Sequence, residues 1–116
     1  MDAESGARQL TDLADKALST NSLVDKMDFH QQLMSEWNKL SCDDKKAVGK
    51  VLERDRDSSL KADKVYATFD LKNGEMQNLA FGKKVRVAND FPFGDKIPIH
   101  EQLKLSNPFE GCVGKK

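Results

Sequence analysis

The chain has 116 residues, 38% of them hydrophobic and 33% charged, with 19 basic and 19 acidic side chains. That length suits one domain burying roughly two thirds of its unfolded surface, and the even charge excludes a global field that would steer the chain to nucleic acid or an anionic membrane. No stretch approaches the roughly 18 consecutive apolar residues of a membrane span, and MDAESGARQL lacks the basic start and apolar run of an export signal, so a soluble, cytoplasmic chain is expected, although export without a cleaved signal leaves no such trace.

The N-terminal part, residues 1–57, reads as helical. Ala3, Ala7, Leu10, Ala14 and Ala17 recur at helical spacing, Leu13 and Leu18 widen the stripe, and Asp2 is placed to cap it. Ser19-Thr20-Asn21-Ser22 ends this helix, because short polar side chains compete for backbone hydrogen bonds. Ser22-Leu23-Val24-Asp25 then opens a second helix with an acidic variant of the capping box. Met27, Leu33, Met34, Trp37 and Leu40 fall on one side of it, with His30 inside the stripe and Phe29 at its edge. Trp37, the only tryptophan, is expected to anchor the helices to the sheet. Ser41-Cys42-Asp43-Asp44 opens a third helix, and the basic residues after it suit the helix dipole out to about Arg56.

Residues 64–105 read as a sheet. Asn73-Gly74 is the dipeptide of a tight type I′ hairpin, since both turn positions need positive φ. A two-residue loop there sets Lys72 opposite Glu75, Leu71 opposite Met76, Phe69 opposite Asn78 and Ala67 opposite Ala80. Alternation then gives Val65, Ala67, Phe69, Leu71, Met76 and Ala80 as the core face, and pairs Tyr66 with Phe81 and Thr68 with Leu79 on the other. Gly82 is expected to turn the chain into a further strand in which Val85 and Val87 alternate with Lys84 and Arg86. Asn89 to Asp95 reads as a loop with Phe91 and Phe93 flanking Pro92, a residue that has no amide hydrogen for a ladder. Ile97-Pro98-Ile99 suits an edge strand, and residues 106–116 a frayed tail. The expected fold is α+β: three N-terminal helices packed on a small, three- to four-stranded antiparallel sheet, in a single domain over 1–116.

Chemistry is thinly represented. His30, His100, Cys42 and Cys112 form no metal-ligand spacing of the usual paired kind, the phosphate-loop frame is absent at Gly82-Lys83-Lys84, and no cofactor is expected. The sequence leaves open whether Cys42 and Cys112 pair, and a cytoplasmic setting keeps both reduced. The favoured reading is a non-enzymatic protein-binding module, an inhibitor, adaptor or accessory factor, that meets another protein through a sheet edge and the aromatic loop. Its expected contacts are Phe91, Phe93, Lys84 and Arg86, with Tyr66 and Phe81 beside them if the second sheet face is uncovered. One alternative is a single-stranded nucleic-acid binder using the same cations with stacking phenylalanines. The other is a small hydrolase-type enzyme built on His30 or His100 with an acidic residue in a cleft; sequence spacing also leaves a Cys-His nucleophile open.

Overall fold

A computed structural model of the chain describes residues 2–61, 64–72, 75–88, 96–106, 108–109 and 112, with the backbone alone at 57, 60–61, 71–72, 75–77, 84–88 and 96–100. The element order is α1 (Ala3–Ser19), α2 (Leu23–Asn38), α3 (Cys42–Lys61), β1 (Tyr66–Lys72), β2 (Glu75–Ala88) and β3 (Lys96–Lys104). This is the α+β arrangement that the hydrophobic periodicities predict. The strands form one antiparallel sheet in the order β1-β2-β3, with α1 packed against α2, α3, β2 and β3, and α3 against β1.

Each helix starts where a short polar side chain can accept an otherwise orphaned amide. Asp2 accepts from the Glu4 amide at 3.2 Å, Ser22 from the Asp25 amide at 3.2 Å, and Ser41 from the Asp44 amide at 3.1 Å. The α1 stripe of Ala7, Leu10, Ala14, Ala17 and Leu18 is buried, and its small residues let the helix lie close to its neighbours. The third helix continues past Arg56 to Lys61. Asp57, Ser58 and Ser59 therefore belong to a helix end and not to a connection, as helical hydrogen bonding overrides the weak preference of these residues for turns.

Asn73 and Gly74 lie outside the described residues; the register beside them begins as expected, with Lys72 opposite Glu75 and Leu71 opposite Met76, and then shifts by one residue. Asp70 pairs with Asn78, Phe69 with Leu79, Thr68 with Ala80 and Ala67 with Phe81, leaving Gln77 as the extra residue of a β-bulge. A shift of one reverses which side chains face inward on β2. The core face thus carries Val65, Ala67, Leu79, Phe81, Leu103 and Leu105, all buried, whereas Ala80 shares the opposite face with Thr68. The expected pairings of Phe69 with Asn78 and of Ala67 with Ala80 are corrected accordingly.

Gly82 does not turn the chain. It sits inside the continuous β2, opposite Tyr66, and a Cβ there would lie 2.7 Å from Tyr66 Cζ and Oη. The missing side chain gives the tyrosine ring room to lie across the neighbouring strand.

Of the expected tail, residues 106, 108, 109 and 112 are described, and the last three are buried. Leu105 donates its amide to the Leu79 carbonyl at 3.1 Å, and Cys112 is bonded to Cys42 with the two Cα atoms 5.5 Å apart. Trp37 organises this end of the molecule. Its Nε1–H donates to the Pro108 carbonyl at 2.6 Å, Phe109 meets it edge-on with ring centroids 5.6 Å apart, and Lys45 Nζ lies 5.9 Å from its ring centroid. The tryptophan anchors the helices to Pro108 and Phe109, and not to the sheet as expected, and Phe109 and Cys112 join the hydrophobic core.

Candidate interaction surface

The sheet is not evenly overlapped. Pairing between β1 and β2 stops at Tyr66 and Gly82, while pairing between β2 and β3 runs on through Lys83 with Glu101 to Ala88 with Lys96. Six residue pairs of β2 and β3 therefore extend past the start of β1 as a two-stranded ribbon, roughly 20 Å long at about 3.4 Å per residue.

Charge fastens the ribbon's root to the helices. Lys83 and Glu101 face each other across the two strands. Lys83 Nζ donates to the Asp15 carboxylate and, at 2.6 Å, to Ser19 Oγ on α1, while Glu101 accepts from Lys26 Nζ on α2 at 3.3 Å. Each charge that starts the ribbon is thus matched by an opposite charge from a helix.

The direction of the backbone groups follows from one bond. Because the Leu105 amide reaches the Leu79 carbonyl, the odd-numbered residues of β2 bond to β3, and the even-numbered ones turn their N–H and C=O toward the β1 side. The 3.5 Å bond from Thr68 Oγ1 to the Ala80 carbonyl agrees with this. Beyond Gly82 the groups of Lys84, Arg86 and Ala88 point to the side where β1 has ended, and among the described residues no strand pairs with them.

The other edges offer less. On β3 the outward residues are Lys96, Pro98, His100, Gln102 and Lys104. Pro98 has no donor to present, and the Lys104 carbonyl accepts from His30 Nε2 at 3.0 Å. On β1 only Ala67 and Phe69 turn outward before the bulge interrupts the alignment, and α3 packs against that strand.

The anticipated contacts divide three ways. Lys84 and Arg86 lie on the open edge of the ribbon. Phe91 and Phe93 lie outside the described residues. Tyr66 and Phe81 are interior, 8% and 0% exposed, although Thr68, Ala80, Gln102 and Lys104 on the second face are half-buried or exposed. Phe81 turns inward because of the bulge, and Tyr66 is folded over Gly82. Of the enzymatic candidates, His30 must carry its proton on Nε2, since the carbonyl it faces can only accept. The bridge leaves neither Cys42 nor Cys112 as a thiol nucleophile, and the described part of His100 is its backbone, opposite Lys84.

One surface feature was hidden in the sequence. Leu23, Val24 and Met27 in the first turns of α2 are 71%, 68% and 63% exposed, although helical spacing places Met27 on the inward stripe. Lys26 and His30 occupy the inward positions there and reach β3. The apolar side chains beside them are left in solvent because this end of α2 lies over the margin of the sheet. The polar tips of Lys26 and His30 are the signal in the sequence, being spaced i,i+4 in line with the buried Leu33 and Trp37.

The fold and this edge define an α+β protein whose described strands overlap unevenly, and no helix among the described residues is long and apolar enough to cross a membrane. The chain matches no protein-family model, no curated protein and no solved structure, and the functional reading rests on geometry.

Proposed function

We propose that the protein is a small protein-binding module, of the inhibitor, adaptor or accessory type, that takes an extended segment of another protein onto its sheet. The observation that carries this is the outward alignment of Lys84, Arg86 and Ala88 along β2, past the end of β1. An edge of this kind is a template for strand addition, in which main-chain hydrogen bonds supply affinity and alternate side chains supply specificity. The exposed turn of Leu23, Val24 and Met27 adds apolar surface beside Lys26, which reaches Glu101 at the root of the ribbon. The experiment is affinity purification of the tagged chain from its native host, followed by binding of the captured protein to an Arg86→Pro variant. Proline removes an amide that points off the edge and leaves the ladder to β3 untouched, so binding falls at least tenfold while the fold persists by circular dichroism. Unchanged binding by Arg86→Pro, or failure to capture any protein, overturns the proposal.

The working place proposed with it is an oxidising compartment, in place of the cytoplasmic setting suggested by the N-terminal residues. Cytosolic thiol buffers keep cysteines reduced, whereas a bridge such as Cys42–Cys112 persists outside them. Acid-quenched alkylation in the native host is expected to leave both cysteines unmodified; recovery of two alkylated thiols would return the protein to a reducing compartment.

A further inference from the structure

We infer that the partner segment is an extended acidic strand with alternating chemistry, carboxylates two residues apart with an apolar residue between them, and that it is not a second copy of this chain. The inference rests on the strand-addition reading above and specifies its ligand.

Charge selects the partner. At the root of the ribbon Lys83 is matched by Asp15 and Glu101 by Lys26. Beyond the root, residues 84–88 and 96–100 include Lys84, Arg86 and Lys96 and no acidic residue; Asp90 and Asp95 belong to the connection past them. Along the open edge the two cations fall at alternate positions, and Val85 and Val87 occupy the other alternation class. A strand laid against this edge places its own residues opposite these in the same period of two. Opposite charges directly across a pair of strands stabilise it and like charges oppose it. The complementary sequence is therefore acidic where it meets Lys84 and Arg86, and apolar between.

The same rule disfavours self-association through this edge. Two copies related by a twofold axis and paired antiparallel about residue 86 would set Arg86 against Arg86. The register that instead sets Lys84 against Arg86 again brings cation to cation. A nucleic-acid strand would satisfy the charges but has no peptide groups to bond the N–H and C=O groups of the edge.

The test uses the intact oxidised chain and three fluorescently labelled probes: a terminally blocked heptapeptide alternating glutamate and valine, a peptide of the same composition in blocked order, and a twelve-residue oligothymidylate. The alternating peptide is expected to bind at least tenfold more tightly than either control by fluorescence anisotropy. A Lys84→Glu/Arg86→Glu variant, checked for native Trp37 fluorescence, should lose that binding and accept an alternating lysine-valine peptide in its place. Equal binding of the blocked-order peptide, preference for the oligothymidylate, or dimerisation by sedimentation at micromolar concentration would each overturn the inference. Arg86→Pro separates strand addition from the choice of ligand. If it abolishes peptide binding that charge reversal leaves intact, strand addition stands and the acidic ligand is wrong. If charge reversal abolishes binding that Arg86→Pro leaves intact, the edge is not used and strand addition itself is wrong.

Discussion

Replacing Cys42 and Cys112 with serine removes the covalent tie between the start of α3 and the tail, which are 70 residues apart. In the chain-entropy account, a loop of that length restrains the unfolded ensemble enough to stabilise the native state by about 4 kcal/mol, a large share of the roughly 5–15 kcal/mol that holds a domain together. The loss is also local, because the bridge keeps Pro108 and Phe109 against Trp37. Equilibrium urea unfolding reads both effects, followed by far-ultraviolet circular dichroism and by the fluorescence of the only tryptophan. With an m-value of about 1.5 kcal/mol/M, the midpoint of the double variant should fall by roughly 3 M relative to the oxidised protein. Its fluorescence should shift to the red at lower urea than the loss of helix. Either of two results would refute this: two titratable thiols in the purified, unreduced, unfolded protein, or a midpoint that neither the substitutions nor reductant moves.

The remaining expectations concern the packing and two ion pairs. Gly82→Ala should destabilise by about 1–3 kcal/mol, because the new methyl lands 2.7 Å from the Tyr66 ring; in a Tyr66→Ala background the same change should cost nothing measurable by urea unfolding, and an equal cost in both would show that the contact is irrelevant. Trp37→Phe strands the buried Pro108 carbonyl without its 2.6 Å donor, a loss of about 1–3 kcal/mol, and a variant as stable as the parent would mean that the bond carries nothing. Arg54 grips Glu4 through two bonds of 2.7 and 3.0 Å, and these hold the Glu4 carboxyl below its ordinary range. Since the folded value is the lower one, the pair's support is present above the unfolded pKa and lost as pH falls through the folded one; an NMR titration of Glu4 should move up in Arg54→Ala, and no movement would refute the assignment. A double-mutant cycle on Asp15 and Lys83 should give a coupling of about 0.5–1 kcal/mol, and zero coupling would remove the fastening of the ribbon root.

Much of the architecture was legible along the chain because its causes are local. Helix starts follow from Asp2, Ser22 and Ser41, each of which accepts an amide two or three residues ahead. The α1 stripe and the edge position of β3 follow from spacing and from Pro98. The bulge at Gln77 was not legible, since nothing in Met76-Gln77-Asn78 distinguishes a regular ladder from one with an extra residue. Only the competition to bury Leu79 and Phe81, both enclosed by the helices, decides it. Of the proposed contact surface, Lys84 and Arg86 stand out for their charge, but their standing on an edge that no described strand pairs depends on where β1 stops relative to β2.

Local sequence alone determined the kinds of element, their order and the reversal between β1 and β2, because capping, periodicity and turn stereochemistry act within a few residues of one another. Tertiary structure decided which face of β2 turns inward, that Cys42 meets Cys112, that Trp37 holds the tail, and that the ribbon outruns its neighbour. Each of these is a contact between distant parts of the chain, settled by which buried surfaces and paired charges fit together once the helices lie on the sheet.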